Sequence, residues 1–324
     1  MKLCCIGDLC ADLLLPYGEV KQHLRNLKQG AVDYSEVLFR HGGTCGNTCT
    51  VLAKLGEEPY FVTDLCGDNI GRYLSQSMRE YGVNLSWSKG NPAKANMICI
   101  AVIEENNERV MFPWLPPGGD YPIFSNDNLS LIPEDEPMLV FTGGMVMNND
   151  PDSMNAVCEK VERLKKNGST VVFDLNVRAE TYGMSAERKA AYDRMIAASD
   201  IIIGSGVEEF AAVTGALSLE AAVDQLSELC QAVIARDGKK PVLVGQKTRR
   251  TYVPTEAVFV WQTIGAGDTF NAAFLYAIHH HLSIEQAVAF ANGIAGYMIS
   301  SSEHLAVPND IEERITHACM KYDS

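Results

Sequence analysis

Met138-Leu139-Val140-Phe141-Thr142 opens the stretch that decides the fold. This apolar strand signal is followed by residues 152–167, where Met154, Val157, Cys158, Val161 and Leu164 recur at helical spacing; the pattern then repeats as strand 169–174, helix 185–198 and strand 200–204. Such alternation argues for a mainly parallel sheet covered on both faces, because parallel strands need crossovers and crossover helices lie against the sheet. Toward the N-terminus, 3–7 reads as a strand and 44–55 as a helix with Cys45, Cys49 and Leu52 on one stripe and Gly56 as its stop. Residues 59–66 read as a strand, and Ile70, Tyr73, Leu74, Met78 and Tyr81 make a helical face ending at Gly82. Toward the C-terminus come helices near 207–214 and 218–230, a strand at 241–245, a β segment at about 250–261 and a helix at 266–280. A further helix is opened by Ser283 and Gln286, a capping-box pair. Residues 86–115 break the rhythm, since 97–103 and 109–112 flank Asn106-Asn107 with no helix between, which reads as a hairpin. The expectation is a three-layer α/β/α body with a β appendage.

The 324 residues allow roughly two domains at about 150 residues each, but no linker-like stretch divides them, which favours one large body. Against 27 Lys+Arg stand 41 Asp+Glu, a net charge of -14 that repels nucleic-acid phosphates and anionic membranes, so neither is expected as a partner. A small anion held by backbone N–H groups remains compatible with that charge. No stretch reaches the roughly 18 apolar residues of a membrane span and no signal-type segment opens the chain, so a soluble, cytoplasmic protein is expected. The ten cysteines form no CxxC pair and no Cys/His ligand spacing, and they read as reduced, buried small hydrophobes. His279-His280-His281 spreads around a helix, and imidazoles meeting carbonyls at a helix C-terminus are favoured there over a metal site.

The sharpest chemical signal is Thr263-Ile264-Gly265-Ala266-Gly267-Asp268-Thr269-Phe270, small residues between a β segment and an apolar helix. With little or no side chain at 265–267, an anion can approach the first N–H groups of that helix at the positive end of its dipole. Asp268 beside it is placed to accept a proton from a hydroxyl. A glycine-rich turn with Asp268 as a helix-start residue weighs equally when the loop is taken alone. A second glycine-rich turn before a helix is Gly42-Gly43-Thr44-Cys45-Gly46-Asn47; with Asp8 and Asp12 it makes a polar cluster suited to polyhydroxyl recognition. Neither GxGxxG after the first strand nor GxxxxGK[ST] is present, which argues against a dinucleotide-binding dehydrogenase and a P-loop NTPase.

In order, Gly42-Gly43-x-x-x-Asn47, Leu55-Gly56, Gly67-Asp68-x-x-Gly71, Asp174-x-Asn176-x-Arg178 and Gly265-Ala266-Gly267-Asp268 resemble the PfkB-type, ribokinase-like carbohydrate kinase family nearly end to end. The resemblance implies a ribokinase-like three-layer fold in a single domain, 1–324, with a β lid from about 13–40 and 86–115. It also implies transfer of the γ-phosphate of ATP to a hydroxyl of a sugar-like small molecule with Mg2+. Asp268 would be the general base, and the N–H groups of Gly265, Ala266, Gly267 and Asp268 the anion hole. Asp12, Gly42, Gly43 and Asn47 match positions that grip substrate hydroxyls; Arg178 binds a charged group or is a solvated strand-end arginine. Asn292, Asn176 and Gly245 match the ATP side, and Glu209 matches a residue that orders magnesium through water. A homodimer paired through the lid is a further implication, to which Trp87, Met97, Met111 and Trp114 would lend apolar area, although one buried lid face explains them equally.

The chain departs from that pattern on the nucleotide and ion side. Trp261-Gln262 stand where the family places an Asp for a monovalent cation, which argues against potassium activation. An Asn is missing before Glu208-Glu209. Leu243-Val244-Gly245-Gln246-Lys247-Thr248 lacks a Thr and a second Gly; Lys247, Arg249 and Arg250 either compensate at the phosphates or form a solvated hairpin, the reading favoured here. These losses motivate a second reading, a sugar or nucleotide sensor of weakened turnover, against which the intact Asp268 argues. A nucleoside kinase would share the chemistry and differ in the acceptor.

Overall fold

The computed structural model describes residues 1–16, 38–92, 94–103, 109–114, 126–148, 150–256 and 258–322. Its strands are β1 (Lys2–Ile6), β2 (Cys10–Pro16), β3 (Leu38–Gly42), β4 (Tyr60–Val62), β5 (Leu65–Cys66), β6 (Gly90–Asn91), β7 (Ile98–Ile103), β8 (Arg109–Trp114), β9 (Met138–Gly143), β10 (Thr170–Asp174), β11 (Ile201–Ser205), β12 (Ala232–Arg236), β13 (Val242–Gln246) and β14 (Arg249–Val253). The helices are α1 (Thr44–Lys54), α2 (Asn69–Glu80), α3 (Asn126–Leu129), α4 (Pro151–Lys166), α5 (Ala179–Tyr182), α6 (Ala186–Ala198), α7 (Gly206–Thr214), α8 (Leu219–Ser227), α9 (Ala266–His279), α10 (Ile284–Ser300) and α11 (Ile311–Tyr322).

Eight strands form one sheet in the order β14-β13-β12-β11-β10-β9-β1-β4, parallel from β12 to β4 and antiparallel at β13 and β14. Successive residues of β1 go to opposite faces: Leu3 and Cys5 join a core with α1, α2, α9 and α10, while Cys4 and Ile6 join one with α4, α6, α7 and α8. Both faces are therefore dry, and the strands read as continuous apolar runs. This is the three-layer arrangement expected from residues 138–204. Seven of the ten cysteines are buried and all are free thiols. Among the described residues, no helix is long and apolar enough to cross a membrane.

A second sheet, β3-β2-β7-β8, supplies the appendage; β7 and β8 pair antiparallel from Ile98–Trp114 to Ile103–Arg109, and their turn at 104–108, with Asn106-Asn107, lies outside the described residues. So does 17–37, most of the first lid segment. This second sheet starts at Cys10 rather than near 13, and 86–92 stands outside it: β6 pairs with β5, and Trp87 stacks on Tyr60 with ring centroids 4.1 Å apart. Trp87 and Met97 are thus taken up by packing, whereas Met111 and Trp114 are exposed.

Four further differences have local causes. The segment 59–66 is two short strands, because Asp64 turns aside to accept from Asn128 Nδ2 at 2.6 Å and Asn91 Nδ2 at 3.2 Å. The β segment expected to reach 261 stops at Val253, before Pro254, which cannot donate to a ladder. β12 was not anticipated, since its four apolar residues follow helix α8 without a glycine or proline to separate them. The fourth is the amphipathic α11, which was not anticipated although Asp310 directly before it and Glu312-Glu313 in its first turn mark a helix start.

Candidate active site

The C-terminal ends of the parallel strands lie on one side of the sheet, the crevice side of an open α/β fold, with β1 flanked by β9 on one side and β4 on the other. In open α/β sheets this reversal point is where ligands bind. Asp8 follows β1, Asp174 ends β10, Glu209 lies in the first turn of α7 after β11, and Arg236 ends β12.

Asp8 caps a helix from another part of the chain. Gly43 precedes α1 with φ +93 and no side-chain cap of its own, and the Asp8 carboxylate accepts from Thr44 N–H at 2.8 Å and Cys45 N–H at 3.3 Å. A Cβ on Gly43 would sit 2.6 Å from the Asp8 carbonyl, and one on Gly42 2.3 Å from Asp12 Oδ1. Both glycines are there so that the backbone can lie against the two carboxylates. Asp12, 6% exposed, is pushed up to about 6, mainly by burial, with Arg40 pulling the other way.

Asp268 stands in the first turn of α9, whose start has Gly265 at φ +85 and no side-chain cap. Its Oδ2 accepts from Asn47 Nδ2 at 2.7 Å, and Thr48 Oγ1 donates to its carbonyl at 3.4 Å, so α1 and α9 meet through their N-terminal turns. Burial pushes the Asp268 carboxyl up to about 7; Asp8 and Asp174 add to the rise, while Asn47 and Arg178 oppose it. Asn47 Oδ1 is buried without a hydrogen-bond partner.

Asn176 and Arg178, just past β10, have φ 33 and 50, a left-handed conformation that non-glycine residues adopt at some cost. Asn176 donates through Nδ2 to Thr44 Oγ1 at 2.7 Å, and Arg178 is exposed. Glu209 accepts from Ser205 N–H at 2.8 Å; burial and Asp174 raise its carboxyl above the usual range, with Arg236 and Arg178 opposing. Glu208 is exposed, so of the two candidates Glu209 is the one turned toward the other charges.

Arg236 was not anticipated. From β12 its guanidinium reaches across β11, donating Nε–H to Gly204 O at 3.4 Å and Nη2–H to both oxygens of Asp174 at 3.4 Å. Nη1–H donates to Gly267 O at 2.9 Å and Asn271 Oδ1 at 3.1 Å, and the guanidinium lies 5.2 Å from the Phe270 ring centroid. Asn271 Nδ2 donates to Asp174 Oδ2 at 2.6 Å, closing the network. A peptide's C=O and N–H point in opposite directions, so holding the Gly267 carbonyl also aims the Asp268 N–H. Asn271, three residues after Asp268 on an apolar helix, was the sequence signal for this network.

The structure does not bring Gly245 to the crevice. β13 runs antiparallel, which places Gly245 opposite Val233 near the start of β12, and a Cβ there would meet Val223 of α8 at 2.4 Å. The turn Asp237–Lys240, which follows the end of β12 and has Gly238 at φ +57, occupies the crevice side instead. Arg249 and Arg250 pair with Glu285 and Asp224, as the hairpin reading has it. Asn292 donates to Pro254 O at 3.2 Å and, with Phe290, Gly293 and Arg314, lines a cleft of about 410 Å³ between α10 and α11.

The family model described as pfkB family carbohydrate kinase matches residues 1–310, and the chain belongs to that family. It is 24% identical over 303 residues to a fructokinase of Klebsiella pneumoniae, covering 91% of this chain and 90% of the relative. A 5-dehydro-2-deoxygluconokinase of Bacillus licheniformis is 27% identical over 320 residues, covering 96% and 94%. The crystal structure of aminoimidazole riboside kinase from Salmonella enterica, complexed with aminoimidazole riboside and an ATP analog, superposes with a TM-score of 0.78 at 22% identity, covering 97% of this chain and 100% of that one. At that identity the likeness speaks for the ribokinase-like fold.

Proposed function

We propose that this chain, acting as one kinase unit with the four-stranded sheet as its lid, transfers the γ-phosphoryl group of ATP to a hydroxyl of a sugar-like substrate, with Asp268 as general base. The observation that carries the reading is the Asp268–Asn47 pair. A carboxyl raised to about 7 is matched to proton abstraction near neutral pH, and the orphaned Asn47 Oδ1 beside it is an acceptor for a donor such as a hydroxyl. Asp12 offers two further acceptor oxygens from the lid side, against the Gly42-Gly43 backbone. The uncapped start of α9, with Gly265, Ala266 and Gly267, supplies N–H groups for the moving phosphoryl, whose transfer depends on positioning and electrostatics. The acceptor proton goes to Asp268, and the new O–P bond forms as the bond to the ADP leaving oxygen breaks. Asn292 would lie on the nucleotide side, and Arg178 at the crevice mouth. Hard carboxylate oxygen suits magnesium held through water at Glu209, where the ion would supply positive charge to the triphosphate. The deciding experiment measures Mg-ATP-dependent ADP formation over sugars, sugar acids and ribosides. Turnover on at least one of them is expected, with an acid limb near pH 7; substrate binding with no ADP above an Asp268→Asn control would leave only a sensor.

Gln262 bears on potassium. Its Nε2–H groups donate to the carbonyls of Ser301 at 3.1 Å and Glu303 at 2.9 Å, so an amide NH2 already satisfies both oxygens with hydrogen bonds. Exchanging K+ for a bulky organic cation is therefore expected to change kcat by less than about twofold, under roughly 0.4 kcal/mol of barrier. A large loss of rate on that exchange would show that a cation is needed after all.

A further inference from the structure

The end of α9 remote from Asp268 carries a side-chain cluster that phosphoryl transfer does not use. His279 is the last residue of α9 and His280 caps it. Glu57 follows the turn that ends α1, in which Gly56, at φ +97, donates its N–H to Ala53 O and Glu57 donates to Leu52 O, each at 3.0 Å. That turn delivers the Glu57 carboxylate between the two imidazoles. Its Oε1 is 3.1 Å from His279 Nδ1 and 2.9 Å from His280 Nε2, the rings stand at 80° to each other, and the ligand atoms all lie within 4.8 Å of one another. The Glu57 and His279 side chains are only 13% and 19% exposed.

The protonation pattern of His279 follows from its other side. Its Nε2 lies 2.7 Å from the carbonyl oxygen of Met1, which can only accept, so Nε2 carries the hydrogen. Nδ1 of the neutral ring then turns a lone pair toward a carboxylate oxygen 3.1 Å away. Two acceptors that close need a hydrogen or a cation between them: a proton on the ring or on the carboxyl, or a metal ion. The metal ion fits the rest of the geometry. A ring N–H tied to a backbone carbonyl, with the opposite nitrogen left to ligate, is how metal-bound histidines are oriented. Bonds of about 2.0–2.1 Å in a tetrahedron imply ligand–ligand edges of roughly 3.3 Å, close to the two nitrogen–oxygen separations of 3.1 and 2.9 Å.

We propose that Glu57, His279 and His280 bind one divalent transition-metal ion of the zinc class, with water as the remaining ligand. Two imidazoles and one carboxylate are borderline donors suited to Zn2+, Co2+ or Ni2+ and poorly suited to Mg2+ or Ca2+. The site ties together the C-terminal ends of α1 and α9, whose N-terminal turns carry Asn47 and Asp268. With 14 residues in α9 at about 1.5 Å each, it lies roughly 20 Å from the crevice, so it clamps the two helices without touching the reacting groups.

The test uses tag-free full-length protein stripped with a chelator and titrated with Zn2+ by calorimetry and with Co2+ by visible absorption. One saturable equivalent is expected, with d–d bands of a nitrogen/oxygen site and no thiolate-to-metal charge transfer. Zn2+ should raise the melting temperature of the wild type, because an ion that binds only the folded chain stabilises it. Glu57→Gln and His280→Ala should each weaken binding at least about tenfold. Both leave the His279–Met1 contact in place, and the 47% exposure of the His280 side chain makes its replacement tolerable for folding. Absence of saturable binding, equal affinity in wild type and both variants, or thiolate charge-transfer bands would each overturn the site. A protonated His279 paired with Glu57 would then account for the contacts.

Discussion

Asp268→Asn is expected to lower kcat by roughly 10²–10⁴-fold while making the protein more stable at pH 8. The loss follows from removing the carboxylate that, hydrogen-bonded to Asn47, takes the proton. The gain follows from the same burial that tunes it. In the folded chain this carboxyl keeps its proton to about pH 7, against an ordinary value of 3.8. Between those two values the native state binds more protons than the unfolded chain, so stability falls as pH rises through that window and stays low above it. A neutral amide avoids that cost, on the order of 2–4 kcal/mol above pH 7. Asn47 can still donate to the new carbonyl oxygen. The measurement is paired kinetics and thermal melts at pH 4 and pH 8: the stability gain should be present at pH 8 and mostly gone at pH 4. A variant less stable than wild type at pH 8 would mean that the carboxylate is ionised at no cost, and its role as a tuned base would lose its support.

The second large effect is expected at Arg236. Arg236→Met leaves Asp174, 4% exposed, without its cation and frees the Gly267 carbonyl, so a loss of about 3–5 kcal/mol of stability is expected together with a fall in kcat. Adding Asp174→Asn should restore much of the stability, since the orphaned charge is gone, yet leave kcat low, because nothing then holds the Gly267 peptide. Equal recovery of both would show that Arg236 serves packing alone. As a positioning residue it should affect kcat far more than the KM for the sugar.

What the amino-acid sequence reveals of the site depends on how local the chemistry is. Asp268 and the small residues before it, or Gly42-Gly43 ahead of Asn47, announce themselves because each works within one turn of its own helix. Arg236 works across three strands, with the small Gly204 on the middle one, and nothing near it in sequence names Asp174 as its partner. Gly245 shows the opposite failure. Its neighbours loosely fit a phosphate-side loop, but an antiparallel hairpin reverses the chain and carries that glycine to the far end of the sheet. The sheet itself is readable from 138–204 because parallel strands buried on both faces leave unbroken apolar runs; β12 escapes because a run of four residues carries no period. The left-handed Asn176 and Arg178 are likewise invisible, as only tertiary contacts hold such backbone angles.

The position of β1 in the sheet has a consequence for how the chain reaches this state. β1 pairs with β9, Lys2 beside Met138, and the Thr142 hydroxyl donates to Ile6 O across 136 positions. During synthesis, then, this short apolar strand waits with one edge unsatisfied until more than a third of the polypeptide has emerged. Pairings so distant in sequence form slowly and leave sticky edges exposed meanwhile. The strand that delivers Asp8 to the crevice is thus completed on its β9 side only late in synthesis. Refolding from denaturant should accordingly lose yield to aggregation as protein concentration rises.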